Sequence, residues 1–208
     1  HLWHLDEAGP PFKDDGVSPT PLLGLINGAK AGQAPFPGFG AAVSFNHLDD
    51  GAGIRRPYGP ILLAKPSLDY GPGDNVDAPF PIAGHDGAFT IEALVKLDFL
   101  PNDAHGEALD IVSMDDDERA NRVFIFRIEK PGFLSFLPIS GDAVRGGGLA
   151  TIPSTGPHAI CTGEWFHAAV AYDGRETAVN NLKLYWTRLT AGNEAANLIG
   201  QGTLTADL

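Results

Sequence analysis

Cysteine, cations and long apolar runs are the scarce features of this chain. It has 208 residues with a single cysteine, Cys161. One thiol excludes an internal disulfide and any multi-cysteine zinc or iron–sulfur site, and Cys161 reads as a small buried hydrophobe. No apolar run approaches the ~18 residues that a membrane-spanning helix needs, so no membrane insertion is expected. Lys and Arg total 14 against 26 Asp and Glu, a formal charge of −12. Non-specific nucleic-acid binding needs clustered cations to displace counterions from phosphates, so nucleic acid is not an expected partner. No stretch of ten or more residues keeps a 3.6-residue apolar repeat free of Gly or Pro, and helices are therefore not expected. The chain starts at His1 without a charged-then-apolar leader, as a processed or trimmed product would.

What is present is turn chemistry and alternation. Gly (26) and Pro (17) together fill about a fifth of the chain, against an average nearer ~12%. Hydrophobic residues make up 43%, enough for a packed core. In Phe89–Phe99, Phe89, Ile91, Ala93, Val95, Leu97 and Phe99 fall on one face, with Thr90, Glu92, Lys96 and Asp98 on the other and Leu94 the one exception. That is the period-two pattern of a strand with one buried face. Phe124, Phe126 and Ile128 repeat the theme; Lys130-Pro131-Gly132 then turns the chain so that Phe133–Ile139 can return as a hairpin. Trp165–Tyr172 is apolar on both faces, as a central strand is. In Leu182–Leu189, Leu182, Leu184 and Trp186 alternate with Lys183, Tyr185 and Thr187. The chain reads as all-β.

Residues 1–85 are richer in Pro and Gly. Leu2–Leu5, Ala41–Phe45 and Ile61–Ala64 look like short strands separated by loops such as Pro35-Phe36-Pro37-Gly38. This segment has too few large apolar residues to close its own core. The expectation is one domain over 1–208, with loop-rich first strands in 1–85 and regular strands in 86–208.

Several stretches resemble one family in matching order. Leu2-Trp3-His4-Leu5-Asp6-Glu7 is similar to its opening strand, and Gly38–Asn46 to the strand that precedes an Asp-rich loop. Phe89–Lys96 resembles its FTIEAWVK strand, with Leu94 where Trp is usual. Gly163–Gly174 is similar to GEWHHVAVTYDG, and Leu182–Trp186 to LKLYVDG. Together they resemble the laminin-G-like, concanavalin A-like jelly rolls. The resemblance implies a two-sheet antiparallel β-sandwich in an extracellular or cell-surface setting. Family members continue past the equivalent of Asn197–Gly200 into a final strand that this chain lacks by motif, so an unpaired edge is expected there.

Catalytic patterns are sparse. Glucanases on this fold line up carboxylates by period two, as glycoside cleavage requires. Here the nearest segment is Glu107–Asp115, where Glu107 and Asp110 are three apart and Met114 stands where a carboxylate would share a face with Asp110. His167 has no nucleophile elbow to serve and reads as a packed imidazole, and the remaining His residues lack metal-ligand spacing. The chain is expected not to be an enzyme, an atypical glycoside hydrolase being the least supported alternative.

Two loops gather the oxygen ligands that calcium takes. Asp49 and Asp50 lie in one and Asp115 and Asp117 in the other, and these four are the candidate ligands. Calcium is common in domains of the resembling family, so Ca2+ is the one cofactor considered. Sugar recognition by such domains uses an aromatic platform with polar groups beside it. Tyr185, Trp186, Tyr58 and Tyr70 are the aromatics expected at the surface, with Arg56 beside Tyr58; Trp3 and Trp165 are expected in the core. Tyr58, Arg56, Tyr70 and Trp186 form the candidate ligand set. The resulting expectation is a non-catalytic recognition module for a glycan or glycosylated surface, the alternative being a structural or protein-adhesion β-domain without sugar binding.

Overall fold

In a computed structural model the described residues are 2, 4, 6–9, 13, 15, 16, 24–26, 30–45, 61–63, 88–101, 108–114, 124–140, 143, 144, 146–176, 178–189 and 195–205. All regular structure among them is β, as the alternation implies. Thirteen strands are described: β1 (Gly24–Ile26), β2 (Lys30–Gln33), β3 (Ala42–Ser44), β4 (Ile61–Leu63), β5 (Phe89–Lys96), β6 (Ala108–Met114), β7 (Phe124–Glu129), β8 (Phe133–Ser140), β9 (Ala143–Val144), β10 (Gly146–Thr151), β11 (Trp165–Tyr172), β12 (Leu182–Arg188) and β13 (Leu198–Leu204). Among the described residues no helix is long and apolar enough to cross a membrane.

The chain divides into two units, His1–Phe80 and Pro81–Leu208. In the first, β1 pairs antiparallel with β4, and β2 with β3. The expected strands at 41–45 and 61–64 are present as β3 and β4. Leu2 and His4 are not in a strand, so the expectation for 2–5 is corrected at those two positions. The Lys13 amide donates to Glu7 Oε1 (2.7 Å), and its ammonium pairs with Asp15. Phe36 and Phe39 hold the turn before β3 with ring centroids 6.0 Å apart.

The second unit is one antiparallel path, β5-β11-β12-β13-β10-β8-β7-β6, with β9 attached to β8. Alternation decides its buried face. Ile91, Val95, Phe166, Val170, Leu182, Leu184 and Trp186 from one half join Phe124, Phe126, Ile128, Leu134 and Phe136 from the other in a single core. The path curls over that core. Phe89 on β5, at one end of it, reaches Phe136 on β8 with centroids 5.7 Å apart, and Phe136 stacks on Phe124 at the same separation. Full burial of each large side chain contributes about 1.5–3 kcal/mol, so this cluster holds the curl.

The change of direction is a glycine corner. β10 pairs β13 through Gly146 and Gly147, then β8 through Gly148 to Thr151. Gly147 has φ 133°, and a Cβ there would sit 2.5 Å from the Phe136 carbonyl oxygen. Only glycine allows both the conformation and the approach.

The carboxyl end departs from expectation. Leu198–Leu204 is a strand that pairs with both β12 and β10, so no unpaired edge lies beside β12. Asn181 fixes this placement: its side chain accepts from the Leu204 amide (2.8 Å) and donates to the Leu204 carbonyl (2.9 Å). Asn180, just before it, takes a positive φ of 58°, a conformation Asn tolerates better than most residues.

Candidate functional site

The outward face of β5, β11, β12 and β13 brings chemically useful side chains together. On β5 the even-numbered residues, Thr90 to Lys96, are exposed while the odd-numbered ones turn to the core. Register carries the pattern across the sheet. Glu92 stands beside Ala169, Ala169 beside Tyr185, and Tyr185 beside Leu198. One row on come Thr90, Ala171, Lys183 and Gln201. In the other direction Leu94, His167 and Thr187 form a third row.

The centre of this face is low because β11 carries alanines there. Ala169 is 4% exposed, and its methyl is overtopped by the longer side chains on either side. β5 and β12 flank it and stand two strand spacings from each other, or ~9–10 Å. By register and side-chain length this is a shallow trough, with Ala169 covered at its centre and Ala171 part-exposed beside it. Glu92 and Thr90 form one wall, Tyr185 and Lys183 the other, and His167 closes one end. His167 Nε2 lies 3.0 Å from Glu92 Oε2, with the imidazole 22% and the carboxylate 65% exposed. The contact ties the Glu92 carboxylate to β11 while most of its side chain stays in solvent. The arrangement offers an acceptor at Glu92, a cation at Lys183, hydroxyl and amide groups at Thr90 and Gln201, and part of an aromatic ring at Tyr185.

Trp186 does not belong to any surface site. It is 0% exposed and stacks on Phe166 with centroids 4.5 Å apart. The expectation of an exposed Trp186 is corrected, and the reason is parity: Trp186 shares its face with Leu182 and Leu184. The expectation of a core Trp165 is corrected in the same way. Trp165 is in register with Lys96 on the outward face and is half-buried there. Tyr58, Arg56, Tyr70, Asp49, Asp50, Asp115 and Asp117 lie outside the described residues, as do Trp3 and Glu107. Among the described residues no group of three or more His, Cys, Asp or Glu side chains could hold a metal ion.

The face relation read for Asp110 and Met114 is also corrected. A bulge falls between Asp110 and Val112, so that Asp110 pairs with Arg127 while Met114 pairs with Phe124. One extra residue reverses the parity along β6, which a count of two cannot reveal.

Two other polar groupings serve the structure. Arg127 Nε donates to Glu129 Oε1 (2.9 Å) beside a recess of about 270 Å3 that Ala108 and Lys130 also line. Arg188 lies over the Phe166 ring at 5.9 Å and donates to Cys161 Sγ, while its amide donates to His158 Nδ1 (3.2 Å).

Sequence reasoning placed Thr90, Glu92, Lys183 and Tyr185 on outward faces but did not bring them together. The missing step was that β5 and β12 flank β11, whose paired alanines are the only sign of a trough. No family model, curated protein or solved structure matches the chain.

Proposed function

We propose that this chain is a non-catalytic recognition module whose outward β5–β11–β12–β13 face binds carbohydrate. The trough between Glu92 and Tyr185 carries the reading. A sugar ring is flat, apolar on its faces and polar around its rim. The part-exposed Ala171 methyl and the Tyr185 ring suit the faces, and Glu92, Thr90, Lys183 and Gln201 suit the hydroxyls. Cleavage of a glycosidic bond calls for two carboxylates flanking it. The carboxylate on this face among the described residues is Glu92, and its neighbour is an imidazole, which favours binding over hydrolysis. The jelly-roll architecture and the extracellular or cell-surface setting belong to the same proposal and rest on the motif resemblance. A structural or protein-adhesion role is the second reading, favoured by Leu94 and Leu198, which are 37% and 45% exposed on this face.

The test is a broad glycan array, run with the purified chain in millimolar calcium and again in chelator, with Tyr185→Ala and Lys183→Ala beside the parent. Binding that falls about tenfold or more in either variant, a loss of ~1.4 kcal/mol, supports the trough. Binding that depends on calcium but ignores both substitutions moves the site to the loops of Asp49 and Asp115. A folded chain that binds no glycan overturns the carbohydrate reading and leaves protein adhesion.

A further inference from the structure

The hydrogen-bonded path of the second unit ends on β5. This strand pairs with β11 through all eight of its residues, without a bulge, and among the described residues no strand lies on its other side. Unpaired edges normally carry features that discourage pairing, such as a proline, a bulge or charged side chains, and β5 carries the last of these as Glu92 and Lys96. β5 has no proline and no bulge. Its exposed side chains run Thr90, Glu92, Leu94, Lys96, so an apolar residue sits midway between opposite charges, two positions from each.

That order is self-complementary. In an antiparallel pairing of two β5 strands about a twofold axis at Leu94, residue 94 meets its own copy, Glu92 meets Lys96 of the second copy, and Lys96 meets Glu92. Directly opposed residues share a face, so Ala93 and Val95 meet on the core side and both copies keep their buried faces in line. A twofold axis at residue 92 would instead set Glu92 against Glu92. Thus one register joins the exposed leucines and neutralises four charges, whereas moving the axis by two residues, to 92 or to 96, opposes like charges. Isologous contacts of this kind are the commonest route to a closed dimer.

We infer that the edge of β5 away from β11 is a self-association surface: two copies of this chain pair antiparallel through Glu92–Lys96, centred on Leu94, into one continuous sheet. The occupant is a second copy because the strand's charge order complements itself. The pairing carries the outward faces of both copies onto one surface, with a trough on each side of the twofold axis. A ligand with repeated units then meets two sites held together, and bivalent attachment raises apparent affinity without any new contact.

The experiment is sedimentation velocity on the full 208-residue chain across a concentration series at physiological salt, with circular dichroism confirming the fold of each variant. The parent is expected to populate a dimer. Glu92→Lys and Lys96→Glu each create two like-charge pairs across the axis and should weaken dimerisation by about tenfold or more. The double variant Glu92→Lys/Lys96→Glu restores the opposite charges with their signs exchanged and should recover most of the loss. A second measurement does not depend on how the charge variants fold. In a Cys161→Ser background, Leu94→Cys should form an intermolecular disulfide on mild oxidation, faster than Thr90→Cys. A chain that stays monomeric, a double variant no better than its singles, or crosslinking that favours position 90 overturns the proposal.

Discussion

The two halves of the large sheet are built on the same plan and present different surfaces. In β5, β11, β12 and β13 the outward positions hold Glu92, Lys183, Tyr185 and Gln201 around a low alanine centre. In β7 and β8 the outward positions are buried as well: Ile125 is 5% exposed and Ser135 0%. Arg127 and Glu129, also outward there, are mostly covered and satisfy each other. Hydrogen-bonded pairing alone therefore does not make a surface available for binding. What differs is how far outward side chains reach solvent: the first half exposes a row of polar groups across β5, β12 and β13, while the recess of the second half is lined by the paired Arg127 and Glu129. In the second half the covered outward positions are those of β7 and β8, while Leu149 on β10 is 57% exposed.

If that division is right, substitutions shared by both halves at the core should cost most. Trp186→Ala removes the largest fully buried side chain, and we expect a loss of about 3–5 kcal/mol in urea unfolding. Trp186→Phe should cost less, because the indole Nε1 has no hydrogen-bond partner among the described residues. A loss under about 1 kcal/mol for the alanine variant would mean that the surroundings collapse into the space, and that the two halves do not share a rigid core.

The seam between the halves comes next. A Cβ at Gly200 would stand 2.4 Å from the Ala150 Cβ. Gly200→Ala should therefore cost about 1–3 kcal/mol as an overpacked contact. Ala150→Gly combined with it should recover part of that loss, measured as the coupling in a double-mutant cycle. Additive costs would show that the approach of β13 to β10 relaxes without strain.

This seam also marks where sequence reading ran out. β5, β7, β8, β11 and β12 were legible because large apolar residues alternate with polar ones in each. β10 and β13 were not, since Gly146-Gly147-Gly148 and Gly200-Gln201-Gly202 carry too few side chains to show a period. Their placement depends on how closely backbones can approach, a property of partners far away in sequence. Trp186 is a different case. The alternation that groups it with Leu182 and Leu184 already implied burial, and the attraction of a tryptophan as a sugar platform overrode that signal. The trough was half legible: each wall was read as outward, but nothing local says that β11 lies between them.

The buried outward layer can be probed at Ser135. Its hydroxyl is fully buried and without a hydrogen-bond partner among the described residues. Removing an unsatisfied hydroxyl relieves its desolvation cost, so Ser135→Ala should be neutral or stabilising by up to about 1 kcal/mol. A clear destabilisation by thermal melting would show that the hydroxyl is satisfied, and that this face is wetter than its burial implies.

The smallest expected effect lies in the turn between β11 and β12, where the first half meets solvent. The Arg175 guanidinium donates to Asp173 Oδ2 from Nε (3.1 Å), while the Arg175 amide donates to Oδ1 (3.0 Å). The side-chain hydrogen bond from Arg175 is the main cause that holds the Asp173 carboxyl below its ordinary value of 3.8. A carboxyl whose folded pKa is depressed contributes stability that is present above its unfolded pKa and lost as pH falls through the folded value. Arg175 stays charged throughout that range. The difference in melting temperature between the parent and Arg175→Ala should therefore be small but present at pH 7. It should shrink below about pH 4 and vanish once Asp173 is protonated in both states. Because the pair is exposed, salt should reduce it at pH 7 as well. Asp173→Asn should give the same neutral-pH loss with no pH dependence of its own in this range. A difference that persists unchanged into acid would mean that Arg175 acts through packing of its aliphatic stem, with the amide of residue 175 alone fixing the turn.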